Sequence, residues 1–238
     1  FVDIVNRLIK LNVNKSEGPD GIHSRILSEN AEILAYPLKL IFEKSFTLNS
    51  LPIDFRSGNI TTIFKKGSKL EPGNYRPVSR TCICCKIMES IIRQSITDHF
   101  IDKNAFSNKQ FGFIKGRSIL LKVMDMWTES LESGGQIDVV YTDLEKAFDK
   151  VPHKRLISKL YSYKINPKVI KWIEAFLTNR RQRVRINGFF SLWKEVLSGI
   201  PQGSILGPLL FIIFINDLVD SCNNASELFL YADDAKLF

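Results

Sequence analysis

The stretch that most constrains this chain is its last eleven residues, Leu228–Phe238, reading LFLYADDAKLF. An apolar run ends at Tyr231, two adjacent carboxylates follow at Asp233 and Asp234, and Ala235, Leu237 and Phe238 resume the apolar pattern. This pattern predicts a short β-hairpin whose tight turn holds both acids. Adjacent acids at a turn are ordinarily solvated loop residues. Here the flanks read as buried, where an idle pair of carboxylates is costly unless a divalent cation neutralises it. Alone, the stretch admits either reading.

A third carboxylate upstream sharpens the choice. Gln136–Asp149 reads QIDVVYTDLEKAFD, and within it Asp138–Leu144 is expected to form a buried strand that ends near Asp143. Asp143, Asp233 and Asp234 would then lie at the tips of neighbouring strands. A site for two Mg2+ ions, with Mn2+ as a substitute, needs hard oxygen ligands on a rigid sheet and positions left open for phosphate and water.

YADD, with DLEKAFD upstream and SGIPQGSILGP between them, resembles the palm of a reverse transcriptase. The order matches that family's motifs: A at Asp143, B at Pro201–Pro208 and C at Tyr231–Asp234. The chain is similar in particular to non-LTR (LINE) retrotransposons of jockey and CR1 type. GPDGI, NYRPVS, QFGFIKGRS, KAFDKVPHKRL, NRRQRVRING and PQGSILGPLLFIIFINDL echo their pattern from about Lys15 to Phe238. Co-linear motifs in the right order are far more specific than any one of them.

Composition is consistent with this resemblance. A 45% hydrophobic content over 238 residues supports a real core and excludes wholesale disorder. The net charge of +8 gains meaning beside the acids, because an acidic catalytic centre needs a basic periphery to hold a phosphate backbone. Cys82, Cys84, Cys85 and Cys222 lack a partner at zinc-finger spacing and read as buried thiols of a reducing, intracellular setting, nucleus or cytoplasm. Ile205–Ile215 is the most apolar run, but it is too short for a membrane span and contains Gly207 and Pro208, so a buried helix is expected. The chain has no initiator Met and stops inside the second strand of the hairpin, as a fragment of a longer polypeptide would.

The remaining candidates are functional by resemblance and have plain structural alternatives. Lys65 lies in a basic turn after the strand-like NITTIF, a setting that suits phosphate and equally an ordinary solvated tip. The resemblance places Arg76 of NYRPVS against the incoming triphosphate, where a planar guanidinium clamps oxygens in a bidentate way. Arg80 stands where relatives tend to have an apolar residue. Ala147 and Phe148 follow Asp143, and the resemblance makes Phe148 a steric gate against a 2′-OH; otherwise it is a core Phe. Gln202 and Gly203 would line the pocket for the nascent base pair. Arg117, with Lys115, reads either as a template-phosphate contact or as solvated. Arg181, Arg183 and Arg185 alternate along one strand face before an Asn187-Gly188 hairpin turn, and this row either tracks a nucleic-acid backbone or is simply solvated.

The implied fold is α+β, a right-hand polymerase with fingers at about residues 1–118 and palm at about 119–238. The palm sheet is expected to be small and antiparallel with helices on one side, and the thumb lies outside the chain. The implied reaction is RNA-templated addition of dNTPs to a DNA primer 3′-OH by two metal ions, with no membrane partner. A retired polymerase that only binds RNA, and a polymerase of intron or telomerase type, remain open alternatives.

Overall fold

The computed structural model describes residues 1–222 and 226–238. Its helices follow the apolar periodicity. They are α1 (Val2–Ile9), α2 (Ser24–Glu29), α3 (Ala31–Leu48), α4 (Ile83–Asp102), α5 (Ile119–Glu132), α6 (His153–Ser162), α7 (Pro167–Leu177) and α8 (Gly207–Ile215). Helix α7 starts with Pro167 at its first position behind the Asn166 cap, whose side chain accepts from the Lys168 amide at 2.9 Å. Helix α3 runs through Pro37 and ends on Asn49 in the left-handed region, φ 49°. Only one stripe of its apolar residues is covered. Ala35, Leu38, Phe42 and Ser45 are buried, whereas Ile33 and Ile41 are exposed. The buried stripe is the one that meets α1 and α7, and a helix wetted on its other side leaves apolar residues there uncovered.

Helix α8 is the centre of the core. Seven of its nine residues are buried, and the apolar run shows no polar face. Such a helix must be enclosed by other elements. Side chains of α4, α6, α7 and α8 share one core cluster with the N-terminal helices. The three clustered cysteines, Cys82, Cys84 and Cys85, are buried free thiols, and burial pushes the Cys85 thiol well above its usual range. Among the described residues no helix is long and apolar enough to cross a membrane.

Two sheets flank this core. The first contains β1 (Ser57–Phe64), β2 (Tyr75–Thr81), β4 (Arg180–Ile186), β5 (Phe189–Phe190) and β6 (Lys194–Val196), with β3 (Val140–Asp143) belonging elsewhere. Strand β1 pairs with β2 antiparallel and with β4 parallel, while β5 and β6 share the other edge of β4. Asn187 and Gly188 both have positive φ, 49° and 87°, which gives the two-residue hairpin turn their sequence predicts. Strands from both halves of the chain thus share this first sheet. Residues 180–196 from the second half join β1 and β2 from the first, because β4 finds its partner edge on β1.

The second sheet is small and antiparallel, in the order β3–β8–β7, where β7 is Leu228–Tyr231 and β8 is Asp234–Leu237. The backbone of Lys109–Phe111 adds to its far edge through a parallel bridge between Gln110 and Leu230. The expected buried strand over Asp138–Leu144 is shorter and exposed along its whole length. Among the described residues it is an edge strand paired only with β8, and its apolar residues, such as Tyr141 at 63% exposure, face solvent.

Candidate active site

The YADD hairpin forms as the sequence predicts. Tyr231 pairs with Asp234 across a turn made by Ala232 and Asp233. Leu228, Phe229, Leu230, Ala232 and Ala235 are buried, which anchors the turn from below. On the other side of β8, Asp143 is the direct cross-strand partner of Asp234. Directly opposed residues project to the same face of a sheet, so two carboxylates from segments far apart in sequence are held side by side. Like charges in such a pair are destabilising. Asp143 and Asp234 are exposed and Asp233 is half-buried, and none of the three makes an ion pair among the described residues. No three His, Cys, Asp or Glu side chains among the described residues close into a ready-made metal cluster. The structure thus brings together Asp143 and Asp234 and leaves Asp233 beside them at the turn.

The turn itself is held by a residue that sequence reading passed over. Gln110, fully buried, accepts at Oε1 from the Gly112 amide at 2.7 Å and the Ala232 amide at 3.2 Å. Ala232 has φ 56°, a left-handed conformation that a non-glycine residue adopts only when its surroundings impose it. Backbone bonds from Phe111 N to Leu230 O at 2.8 Å and from Leu230 N to Lys109 O at 2.9 Å tie the same loop to β7. Arg117 is folded into this support: its Nη1 donates to the Gln110 carbonyl at 2.8 Å and to that of Ser107. Desolvation lowers its pKa.

The loop between motifs A and B is pinned from two sides. The tail of motif A and the motif B loop are joined by backbone bonds, Ile200 N to Phe148 O at 2.8 Å and Gly199 N to Val151 O at 3.0 Å. Gly199 adopts φ 83°, and a Cβ there would lie 2.5 Å from the Asp149 carbonyl. Gln202 donates from Nε2 to Asp149 Oδ1 at 3.2 Å, and its carbonyl accepts from the Ser79 amide at 2.7 Å. The Gly203 backbone, φ 110°, passes so close to Ser79 O that a Cβ would sit 2.4 Å away. His153, half-buried, places Nε2 2.7 Å from the Gly199 carbonyl. Ala147 and Phe148 are half-buried, and Phe148 stacks on Phe211 of α8 with centroids 4.4 Å apart. Lys65 and Arg76 are both exposed at the end of the β1–β2 pair where residues 65–74 connect the strands, in the sheet that does not carry the acids.

Beneath motif B lies a second residue that sequence reading missed. Glu89 of α4 is fully buried, and its Oε2 accepts from the Ser204 hydroxyl, the Ile205 amide at 2.8 Å and the Leu206 amide at 3.1 Å. It satisfies the free N–H groups leading into α8. A lone Glu on an apolar helix face carries no sequence signal for this partner, which is over 100 residues away. Glu89→Ala is expected to lower stability by about 3 kcal/mol, since it strands buried donors. Thermal unfolding measures it; a melting temperature within a degree of wild type would show that the carboxylate is not the cap.

The reverse transcriptase (RNA-dependent DNA polymerase) family model matches residues 63–238. The chain belongs to this family. It is 30% identical over 247 aligned residues to a probable RNA-directed DNA polymerase from transposon BS of Drosophila melanogaster, covering 99% of this chain and 27% of that protein. It is 28% identical to the RNA-directed DNA polymerase from mobile element jockey of the same species, covering 91% of this chain and 24% of the relative. This reverse transcriptase chain thus spans about a quarter of the length of these relatives. In fold it is similar to telomerase from Candida albicans, with a TM-score of 0.56 and 13% identity over 76% of this chain and 38% of that one.

Proposed function

We propose that this chain is the polymerising part of an RNA-directed DNA polymerase of a non-LTR retrotransposon, extending a DNA primer with dNTPs on an RNA template. The observation that carries the reading is the register of Asp143 against Asp234 beside the YADD turn, in a member of this family. The donor set fits Mg2+: hard carboxylate oxygens, side by side, solvent-accessible and without an ion-pair partner among the described residues. Asp143, Asp233 and Asp234 would hold it, with Mn2+ as a substitute. When bound, two such ions supply a lowered pKa for the primer 3′-OH and neutralise the triphosphate and the leaving pyrophosphate.

The chain's own side chains do the rest by positioning and electrostatics. Arg76 and Lys65 balance phosphate charge from the exposed end of β1–β2. Gln202 and Gly203 border the nascent base pair, with Gln202 oriented by Asp149. Phe148, fixed by its stack on Phe211, excludes a 2′-OH, and Ala147 leaves room beside it. The test is primer extension on an RNA template with dNTPs and Mg2+, by a full-length protein carrying these residues. Extension that stops with Asp143→Asn supports the reading; tight RNA binding with no extension by wild type would make the protein a binding module instead.

Sugar selection gives a separate expected outcome. Phe148→Val keeps an apolar contact with Phe211 while removing the ring, so incorporation of rNTPs relative to dNTPs opposite one template base should rise about tenfold or more, the scale of a few methylene-sized contacts. Packing should weaken by about 1–3 kcal/mol. An unchanged rNTP/dNTP ratio at reduced stability would leave Phe148 a core residue only.

A further inference from the structure

Helix α8 carries at its far end a side chain that the reaction above does not use. Motif B leads into the helix at Gly207, and Asn216 caps it after Ile215. Asn216 is only 6% exposed, and both ends of its amide are engaged. Nδ2 donates to the Ala105 carbonyl and to the Tyr163 hydroxyl, both at 2.8 Å, and Oδ1 accepts from the Ser107 amide at 2.9 Å. By donating to residue 105 and accepting from residue 107, one side-chain amide holds this segment as the backbone of a paired strand would. A carboxylate of the same size could accept but not donate.

From Ser107 a short relay of hydrogen bonds runs to the catalytic turn. The Ser107 carbonyl accepts from the Gln110 amide at 3.2 Å and from Arg117 Nη1, and its hydroxyl accepts from the Lys109 amide at 3.2 Å. These bonds close residues 107–110 into a turn. That turn delivers Gln110 Oε1 to the Ala232 amide and the Lys109 carbonyl to the Leu230 amide. Between Ala105 and Ser107, Phe106 is buried against Phe100 of α4, with ring centres 4.7 Å apart. The segment is thus clamped at the end of α8 on one side and carries the YADD turn on the other.

We propose that Asn216 is a positioning residue: through residues 105–110 and Gln110 it sets where the YADD turn, and with it Asp233 and Asp234, stands relative to motif B. Both ends of α8 then serve one purpose. Its start follows Gln202 and Gly203, its end holds the brace of the catalytic turn, and the buried helix between them keeps the two at a fixed separation. The consequence for catalysis rests on the polymerase reading above; the mechanical link from Asn216 to Ala232 does not. A residue that only satisfied a helix end would cost stability when removed without changing residues 231–234 more than the rest of the fold.

The test is hydrogen exchange of the full-length protein in EDTA without nucleic acid, beside primer extension with Mg2+. Asn216→Ala should speed exchange of the Ala232 amide about tenfold, the scale of one lost hydrogen bond, and leave β1 and β2 within about twofold. Asn216→Asp keeps the size and the bond from Ser107 but cannot donate to Ala105. It should give the same change to a smaller degree, and it carries the test if Asn216→Ala does not melt cooperatively. Tyr163→Phe removes the bond of Asn216 that lies off the relay, so its Ala232 exchange should match wild type. In extension, Asn216→Ala should lower kcat about tenfold with the dNTP KM within about twofold, because Lys65 and Arg76 lie on the other sheet. Unmoved Ala232 exchange in a folded Asn216 variant, equal acceleration in Tyr163→Phe, or exchange that rises alike in both sheets would each overturn the positioning role while leaving the polymerase reading intact. Wild type that extends no primer would overturn the polymerase reading and the catalytic part of the proposal with it.

Discussion

Asp143→Asn should reduce primer extension by about a thousandfold or more while the protein melts no lower than wild type. The activity loss follows from the proposed role: a divalent cation contributes several kcal/mol of charge stabilisation in the transition state, and each 1.36 kcal/mol is tenfold in rate. The stability side follows from the register. Asp143 faces Asp234 directly across β3 and β8, and a like-charge pair at that spacing opposes folding when no cation is bound. Replacing one carboxylate by a neutral amide of the same shape removes the repulsion, so the variant should gain a few tenths of a kcal/mol. A second readout separates the two roles. Mg2+ or Mn2+ should raise the melting temperature of wild type by mass action and do so less for Asp143→Asn. Near-normal extension by the variant would remove Asp143 from the catalytic set; a large drop in melting temperature would mean that it is a structural acid.

Gly112→Ala should lower extension by about a hundredfold although residue 112 is not one of the proposed site residues. A Cβ at Gly112 would lie 2.2 Å from the Ala232 amide nitrogen and 2.9 Å from its Cα. Both are backbone atoms of the YADD turn, so the clash cannot be relieved by a side-chain rotation. The turn must move, and with it Asp233 and Asp234. A displacement near 1 Å at a reacting centre is enough to lose ~100-fold in rate. The same shift lengthens the bonds from Gln110 Oε1 to the Gly112 and Ala232 amides, so stability should fall by about 1–3 kcal/mol. Gly73→Ala is the matched control: a Cβ there meets nothing within 4 Å. Extension and melting temperature of that control should both match wild type. If Gly112→Ala is as active as the control, the QFG loop is not what fixes the catalytic turn.

The contrast between these two positions shows what was legible before the fold. Asp143 stood out because a strand-like run fed an acid in the right order relative to YADD. Gly112 and Gln110 stood in QFGFIKGRS, which echoed the family pattern without a role for either residue, with Arg117 as a phosphate candidate. In the structure Arg117 turns inward and Gln110 becomes the brace. No local rule names the partner of a buried amide, since its partner, Ala232, lies 122 residues further on.

What the amino-acid sequence determined by itself was whatever neighbouring residues dictate to each other. Asn187-Gly188 makes its turn because both residues tolerate positive φ. Helix α8 is enclosed because its run has no polar face to wet, and the YADD hairpin closes because two apolar strands flank a two-residue turn. The order of the acids and glycines placed the chain in its family. The tertiary structure decided which edges and faces meet. Strand β1 took β4 as its parallel neighbour, 124 residues apart at the Asn59–Arg183 contact, and this drew residues 180–196 into the first sheet. Strand β3 became an exposed edge, and Glu89 found the start of α8. These choices turn on competing long-range pairings of similar local chemistry, and only the packing of the whole chain ranks them.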